Sequence, residues 1–265
     1  MNDQNYIFTD TQDQAEFNRL RKIEQAFDPS TKQILEKYGL CSGMKCLEIG
    51  PGAGSIAEWM CEKVGVQGHV SAMDLNVRFI SQLTVKNLTV IHGDITKENF
   101  PENVFDCIHA RYVFIHIHEY KSTISKLIKC LKPGGLLLLE EPDFSNAKAD
   151  SDDPQLVQSF NHIHEAIALM YRGMKLNPAF GSQLVSILKD AGLQNIQNKI
   201  IAEKVCGGSL VADMMRMSTM VLKEKYLQTG AVTEEDFINY CELSKNSKHQ
   251  ALYYSSVSSW GIKSK

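Results

Sequence analysis

The sequence lacks paired cysteines. Its seven cysteines, an odd number, are scattered along 265 residues, and no two of them form a C-x-x-C pair. This pattern argues against a disulfide framework and against a structural zinc site, and it indicates a protein of the reducing cytoplasm. We expect most of these thiols to fill small apolar positions in the core, and we expect no metal site.

Long apolar runs and clusters of basic residues are also missing. No stretch reaches the roughly 18 apolar residues that a membrane span needs, and segment 1–10 has no signal-peptide core. The formal net charge is -3 and the pI is near 6.2, whereas nucleic acid binding requires clustered Lys and Arg. With 43% apolar residues, we expect a packed cytoplasmic protein without a membrane span or a nucleic acid partner.

The sequence does contain an alternation of short apolar strands and helices. Strands are predicted at 45–49, 69–73, 88–92, 105–110 and 136–140. Helices are predicted between them at 55–64, 76–83 and 120–131. This alternation is typical of a parallel sheet that is covered by helices on both faces.

Further helices precede and follow this alternation. We predict a helix over 15–27 that Pro29 breaks, and a second helix from Ser30 to Tyr38. After the fifth strand, helices are predicted at 154–174, 181–190, 210–227 and 234–243, and strands at 196–205 and 251–263. Because no repeat or flexible linker interrupts the chain, we expect a single domain over 1–265 with helical insertions.

The most informative stretch follows the first strand. Gly50, Gly52 and Gly54 alternate before the next helix, and this pattern makes a tight turn whose backbone is open to a ligand. Segment 52–57 also fits G-x-G-x-x-A, and Asp74 follows about twenty residues later, as a dinucleotide site requires. The glycines therefore do not identify the ligand by themselves.

Three carboxylates at strand ends narrow the choice. Glu48 precedes the glycine loop, where it would repel a pyrophosphate and suit a cationic group, unless it is only a solvated strand end. Asp74 ends the second strand, where a carboxylate accepts hydrogen bonds from ribose hydroxyls. Asp94, after Gly93, either accepts from an adenine amine or caps a helix before Thr96. Together they favour a nucleoside ligand that carries positive charge.

With these residues, the region from 44 to 141 resembles class I S-adenosylmethionine (SAM)-dependent methyltransferases. The resemblance rests on five motifs in order, namely Glu48-x-Gly50-x-Gly52-x-Gly54, Asp74, Gly93-Asp94, Phe105-Asp106 with Ala110-Arg111, and Leu131-Lys132-Pro133-Gly134-Gly135. It is similar to the subgroup of ubiquinone and menaquinone C-methyltransferases and related small-molecule enzymes. This implies a doubly wound, Rossmann-like α/β fold with a seven-stranded sheet, whose last strand runs antiparallel between the fifth and the sixth.

The resemblance also assigns binding roles by position. SAM is the implied cofactor, with S-adenosylhomocysteine as the product. The residues implied to bind it are Glu48, Gly50, Gly52, Gly54, Asp74, Leu75, Gly93, Asp94, Ile95, Ala110 and Arg111. Glu48 and the glycines would hold the methionine part, Asp74 and Leu75 the ribose and one adenine face, and Asp94 with Ile95 the adenine edge.

Candidates for acting on the methyl acceptor follow the fourth and fifth strands. His116 and His118 lie where a general base would sit, although a loop packed on the sheet edge is the alternative for both. Glu141 is a similar candidate, and Tyr112 is a weaker one. Arg111 departs from the small polar residue that is common at its place. It binds the cofactor, binds an acidic acceptor, or pairs with a carboxylate.

Three helical segments, 1–40, 152–178 and 207–246, are expected to form a cap over the methyl group. The SAM-binding core is then 41–150, and 179–206 with 247–265 complete the sheet. The Met-rich stretch 214–220 suits an irregular apolar ligand, or it fills the core.

Two further predictions concern individual residues of the cap. Tyr6, Phe8 and Arg19 are placed by this hypothesis over the methionine end of SAM. His162 and His164 lie on different faces of their helix, which argues against a metal site.

Three functions remain open at this stage. Methyl transfer from SAM to an O, N or C atom of a small, largely apolar molecule is favoured. An NAD-dependent oxidoreductase is disfavoured by Glu48, by Asp94 and by the absence of a Tyr-x-x-x-Lys pair. A catalytically inactive SAM-fold binding protein is the other alternative, because methyl transfer needs positioning rather than a dedicated nucleophile.

Overall fold

The structure is a computed structural model that describes residues 13–265. Within this range the chain forms a seven-stranded sheet, helices that cover both of its faces, and a second sheet of three short strands. The strands are β1 (Lys45–Ile49), β2 (His69–Asp74), β3 (Leu88–His92), β4 (Phe105–Arg111), β5 (Leu131–Asp143), β6 (Lys148–Asp150), β7 (Gln194–Ile201), β8 (Val205–Cys206), β9 (Gln250–Leu252) and β10 (Ser255–Ile262). The helices are α1 (Asp13–Lys37), α2 (Ser55–Val64), α3 (Tyr120–Cys130), α4 (Pro154–Gly173), α5 (Leu184–Asp190), α6 (Leu210–Val221), α7 (Lys223–Leu227) and α8 (Glu234–Lys245).

The strand order of the large sheet confirms the expected topology. It is β3-β2-β1-β4-β5-β10-β7, and β10 runs antiparallel to both of its neighbours. The first five strands are parallel, and the direction of winding reverses between β1 and β4. A ligand cleft is expected at such a switch point, outside the carboxyl ends of the strands.

Each face of the large sheet has its own core. In β1, Leu47 and Ile49 belong to one apolar cluster, whereas Cys46 belongs to the other. This division follows from the alternation of side chains along a strand. The second cluster contains residues of α2 and also Ile34 and Leu35 of α1, so α1 packs on the same face as Cys46.

The prediction that Pro29 ends the first helix is wrong. A single helix, α1, runs from Asp13 to Lys37 with Pro29 inside it. A proline in a helix interior loses one hydrogen bond, but tertiary contacts on both sides of it compensate. Asp28 bonds to Arg111 and Thr31 bonds to Glu140, and both partners lie on the sheet.

The helix predicted over 76–83 is also absent from the structure, where only a 3-10 turn, Ile80–Gln82, forms. The side chain of Asp74 accepts from the backbone N–H of Asn76, and the side chain of Asn76 accepts from that of Arg78. Such local bonds offer the backbone an alternative to a helix.

The two late strands are each divided between two sheets. Segment 194–201 and segment 255–262 complete the large sheet as β7 and β10, as expected. Val205–Cys206 and Lys148–Asp150 instead each pair with Gln250–Leu252, the central strand of the small sheet β6-β9-β8. The predictions of unbroken strands at 196–205 and 251–263 are therefore wrong. Among the described residues, no helix has both the length and the apolar character to cross a membrane.

Candidate functional site

A cavity of about 210 Å³ lies at the carboxyl ends of the central strands, at the switch point between β1 and β4. Residues of α1, α4, α6 and α7 complete its wall. Nine of the eleven residues expected to bind the cofactor line it, namely Glu48, Gly50, Gly52, Asp74, Leu75, Gly93, Asp94, Ile95 and Arg111.

The glycine loop adopts backbone conformations that favour glycine. Gly50, Gly52 and Gly54 have φ angles of 66°, 59° and 99°, in the left-handed region that other residues rarely adopt. A Cβ at Gly50 would lie 2.4 Å from Cγ2 of Val113. The loop therefore makes its tight turn between β1 and α2 only with a glycine at that position.

The first turn of α2 is already occupied by a carboxylate. Glu24 of α1 accepts a hydrogen bond from the backbone N–H of Ser55 at 3.1 Å, and Arg21 pairs with its other oxygen at 2.7 Å. A dinucleotide places its pyrophosphate at this kind of helix N-terminus. Because Glu24 brings negative charge to that place, a pyrophosphate there would be repelled.

The two aspartates at the ends of β2 and β3 both line the cavity, but they accept hydrogen bonds from different groups. Asp74 accepts from backbone N–H groups of Gly52, Leu75 and Asn76, and its pKa is raised by burial against the effect of these bonds. Asp94 accepts from the N–H of Thr96 at 3.0 Å and from its hydroxyl at 2.7 Å, so it caps a turn and not the helix that the alternative expected there. Both still line the cavity, so capping does not remove Asp94 from the ligand site.

Glu48 is not a solvated strand end. It is 3% exposed, and its Oε2 lies 2.7 Å from Nδ1 of His109 on β4. The other ring nitrogen, Nε2, lies 3.0 Å from Oε2 of Glu140 on β5. Sequence reasoning did not find His109 and Glu140. The available signal was that two polar residues in otherwise apolar strands share the face of Glu48.

Arg111 lines the cavity and pairs with α1. One guanidinium nitrogen donates to Oδ1 of Asp28 at 2.8 Å and another to the hydroxyl of Thr31 at 3.1 Å. Of the three roles considered for Arg111, the structure shows the pairing with a carboxylate. This pair fixes the C-terminal half of α1 against β4.

The part of the cavity beyond the glycine loop is aromatic. The rings of Phe144 and Tyr171 stack at 5.9 Å between centroids, and those of Tyr112 and Tyr254 meet edge to face at 6.0 Å. The remaining apolar wall consists of Ile167, Met214, Met215, Leu222 and Tyr226. Met214 and Met215 thus line the cavity and are also buried.

His116 is the catalytic candidate that the structure brings to the cavity. Its ring stacks on Tyr171 at 6.1 Å, and it is 6% exposed. Burial, together with the charge of Arg19, lowers the pKa of His116 to about 4. The imidazole is therefore neutral near pH 7 and has the protonation state of a proton acceptor.

The other two catalytic candidates do not line the cavity. His118 is exposed to solvent. Glu141 is fully buried, and its carboxylate accepts from the backbone N–H groups of Val113, Phe114 and Ile115 at 2.7–3.2 Å. Burial raises the pKa of Glu141 to about 8 against the effect of these bonds. The carboxyl group of Glu141 holds the turn after β4, and neither His118 nor Glu141 lies at the cavity, where a base would meet the acceptor.

Two residues expected to bind the cofactor serve packing instead. Ala110 points into the apolar cluster on the face opposite Glu48. A Cβ at Gly54 would lie 2.7 Å from both Ile80 and Leu83, so this glycine lets the segment after β2 approach the loop.

Of the remaining residues singled out in the sequence, only Arg19 lies at the cavity among those that the structure describes. His162 pairs with Asp236 at 3.0 Å, and His164 packs against Phe160 with 4.2 Å between ring centroids. In the described part of the chain no three His, Cys, Asp or Glu side chains are arranged to hold a metal ion. Tyr6 and Phe8 lie outside the described residues, whereas Arg19 lines the cavity.

Comparison with known proteins agrees with this fold. The profile of the methyltransferase domain family matches residues 19–198. Phosphoethanolamine N-methyltransferase 1 of Zea mays is 28% identical over 178 residues, which are 64% of this chain and 35% of the maize protein. The ubiquinone/menaquinone biosynthesis C-methyltransferase UbiE of Francisella philomiragia is 31% identical over 118 residues, which are 42% of this chain and 47% of that protein. The matched region thus spans less than half the length of these curated relatives.

A solved structure shares the fold at low sequence identity. It is phosphoethanolamine N-methyltransferase 2 of Haemonchus contortus, in complex with phosphomonomethylethanolamine and S-adenosylhomocysteine. The TM-score is 0.56 at 17% identity, over 89% of this chain and 53% of that chain. Since the family profile covers more than half of the chain, this protein belongs to the methyltransferase domain family, with the class I fold of SAM-dependent methyltransferases.

Proposed function

We propose that this chain transfers the methyl group of SAM to a small, largely apolar acceptor. The observation that carries the proposal is the arrangement of three carboxylates, Glu48, Asp74 and Asp94, around one cavity at the switch point of the sheet. A nucleoside with a cationic tail is complementary to this arrangement, because the ribose and adenine supply hydrogen-bond donors and the tail supplies positive charge.

The lining residues fit SAM part by part. Asp74 would accept from the ribose hydroxyls, and Asp94 with the backbone of Ile95 would hold the adenine edge. Glu48, together with the open backbone of the glycine loop, would hold the methionine part. When bound, SAM supplies an electrophilic methyl group on a sulfonium, and the protein's task is to hold and orient both reactants and to exclude water.

The same geometry disfavours the NAD alternative. Glu24 places a carboxylate at the first turn of α2, 3.1 Å from the Ser55 nitrogen, and Glu48 stands at the end of β1. Both would repel a pyrophosphate in the loop. Neither would repel the ammonium or the sulfonium of SAM.

The acceptor side of the cavity supports an apolar substrate. The wall beyond the glycine loop is formed by aromatic, Met and Ile side chains. Of the arginines that line the cavity, Arg19 is already bound to Glu16 through two hydrogen bonds of 2.7 and 2.9 Å, and Arg111 is bound to Asp28 at 2.8 Å. A phosphorylated acceptor requires charges that are available to its phosphate, so we favour a substrate without a phosphate group. We also propose a cytoplasmic location, as the unpaired cysteines suggest.

His116 is the proposed proton acceptor, for acceptor atoms that carry a proton. It is neutral near pH 7 because its pKa is lowered to about 4, and it lies against Tyr171 in the acceptor part of the cavity. A base of this strength assists an acceptor whose proton becomes acidic as the methyl group is transferred.

The first experiment is calorimetric titration with SAM, S-adenosylhomocysteine and NAD. We expect saturable binding of the first two, no binding of NAD, and loss of binding in Asp74→Ala. Asp150→Ala is the matched control, because Asp150 is a surface residue paired with Lys204 outside the cavity. Binding of NAD alone would overturn the proposal.

A second experiment separates the enzyme from a catalytically inactive binding protein. The purified protein is incubated with SAM that carries a labelled methyl group and with a panel of apolar acceptors that bear hydroxyl, amino or activated carbon atoms. Transfer of the labelled methyl group to an acceptor supports the proposed enzyme if the transfer is weaker in His116→Gln. Saturable SAM binding without transfer to any class would favour the inactive binding protein.

A further inference from the structure

A row of charged side chains leads from the cavity into the interior of the sheet. It consists of Glu48 on β1, His109 on β4 and Glu140 on β5. They share one face because Glu48 is in register with His109, and Glu140 is in register with Arg111, two residues further along β4. Glu48 lines the cavity, whereas His109 and Glu140 do not. All three are at most 3% exposed, so the charges of the row are largely shielded from water.

The hydrogen-bond geometry fixes the protonation of the row. Both ring nitrogens of His109 face carboxylate oxygens, at 2.7 Å for Glu48 and 3.0 Å for Glu140. A neutral imidazole has one N–H and one lone pair, so one nitrogen would point a lone pair at a carboxylate. Only an imidazolium donates to both. Two carboxylates and one imidazolium then leave the row with one net negative charge.

The pKa values of His109 and Glu140 agree with this geometry. Burial lowers the pKa of His109, but the charges and hydrogen bonds of Glu48 and Glu140 outweigh it and raise the pKa to about 9. Burial raises the pKa of Glu140, but His109 and Arg111 outweigh it and lower the pKa to about 2.

The far end of the row is held independently of its cavity end. Glu140 accepts from the hydroxyl of Thr31 at 2.5 Å and from that of Ser258 at 2.6 Å, and the charge of Arg111 stabilises its ionised form. Without the imidazolium, Glu140 would keep these two hydroxyl donors and the charge of Arg111. Glu48 would instead become a buried carboxylate without its counter-charge, which the low-dielectric interior disfavours.

We propose that His109 is a positioning residue that keeps Glu48 ionised at the cavity wall and thereby makes the site prefer cationic SAM over neutral S-adenosylhomocysteine. This inference rests on the proposed function, since it concerns the same cofactor site. A carboxylate attracts a sulfonium but has no such attraction for a thioether. Because methyl transfer converts the first into the second, the ionised Glu48 favours exchange of the spent product for a new cofactor.

The test is the ratio of two dissociation constants. Calorimetry gives Kd for S-adenosylhomocysteine and for SAM in the wild type, in His109→Gln, in Glu48→Gln and in the double variant. We expect the ratio Kd(S-adenosylhomocysteine)/Kd(SAM) to fall about three- to tenfold in each single variant. In the double variant we expect no further fall, because both substitutions remove the same charge.

The matched control is His164→Gln, the same substitution at a buried histidine that does not line the cavity. It should lower thermal stability and leave the ratio unchanged. Equal weakening of both ligands in His109→Gln, or an unchanged or increased ratio, would show that His109 only supports packing and would overturn the inference.

Two further outcomes are decisive. Should His109→Gln fail to fold, Glu48→Gln tests the charge alone, and an unchanged ratio there overturns the inference as well. If the wild type binds neither ligand, the proposed function itself fails, which this experiment separates from a failure of the inference alone.

Discussion

The carboxylate of Glu24 accepts a hydrogen bond from the backbone N–H of Ser55, at 3.1 Å. Glu24 belongs to α1 and Ser55 begins α2, so a helix far away in sequence supplies the acceptor for the first turn of the helix after the glycine loop. A carboxylate at a helix N-terminus is stabilising because of the helix dipole. This bond therefore connects α1 to the helix that follows the glycine loop.

Removal of the Glu24 charge should weaken this connection. We expect Glu24→Gln to lower the free energy of unfolding by about 1 kcal/mol, because a charged hydrogen bond at a helix N-terminus is lost. Chemical denaturation measures the change. Glu36→Gln, in the same helix but in an exposed pair with Lys63, should change it by less than about 0.5 kcal/mol, and equal losses in both variants would contradict the prediction.

Gly50→Ala should be more destabilising than a substitution at a glycine with a similar backbone. At Gly50 the new methyl would meet Val113 at 2.4 Å, whereas at Gly43 no atom lies within 4 Å, and both glycines have positive φ. We expect Gly43→Ala to lower stability by about 1 kcal/mol through backbone strain. Gly50→Ala should lower stability by about 1–3 kcal/mol more than Gly43→Ala does, because of the overlap with Val113.

The double variant Gly50→Ala/Val113→Ala separates the two effects at Gly50. It should recover most of the overlap contribution and none of the backbone strain, as judged by thermal unfolding. A double variant that is no more stable than Gly50→Ala would show that the overlap with Val113 is not the cause.

Glu141→Gln should affect stability and not catalysis. Its carboxylate accepts three backbone N–H groups of the turn after β4, and an amide in its place would direct a donor at some of them. We expect a loss of about 1–3 kcal/mol in the free energy of unfolding and an unchanged kcat at temperatures where the variant is folded. A fall in kcat without loss of stability would restore Glu141 as a candidate base.

The stability of the protein should fall in mild acid because of His164. No described residue offers a hydrogen-bond partner to either ring nitrogen, and burial lowers the pKa of His164 to about 3. The unfolded chain binds this proton below about pH 6.5, but the folded protein does not. Stability attributable to this group is therefore complete above pH 6.5 and is lost as pH falls toward 3, by at most about 1.4 kcal/mol per pH unit.

His164→Phe should remove that part of the pH dependence. Phenylalanine cannot be protonated and keeps the contact with the Phe160 ring. Denaturation at pH 5 and at pH 7 should give a smaller difference in the variant than in the wild type. His162→Phe is the control, since His162 is a partly exposed neighbour paired with Asp236, and an unaltered acid dependence in His164→Phe would contradict the prediction.

The pH profile of turnover tests the proposed role of His116. With a pKa of about 4, this residue is already deprotonated at pH 6, so its contribution to kcat should be constant between pH 6 and 8. We expect His116→Gln to lower kcat about 100-fold or more for a protonated acceptor atom. An unchanged kcat in this variant would indicate that transfer proceeds by positioning alone.

The sequence by itself determined the central part of the fold. The bounds of β1 and β3 are those that the apolar runs predict, and the glycine loop follows β1 as expected. These features depend on local sequence, because a short apolar run between turn residues indicates a buried strand of a parallel sheet. For the same reason Glu48, Asp74 and Asp94 were placed at strand ends, and all three line the cavity.

Only the tertiary structure decided the partners of these residues and the continuity of some elements. The interior partner of Glu48 is His109, 61 residues away, and the acceptor at the start of α2 is Glu24, 31 residues away. Helix α1 continues through Pro29 because its side chains bind to the sheet on both sides of the proline. Contacts between distant segments leave no periodic signal in the sequence, so charge pairing and burial in the folded state settle them.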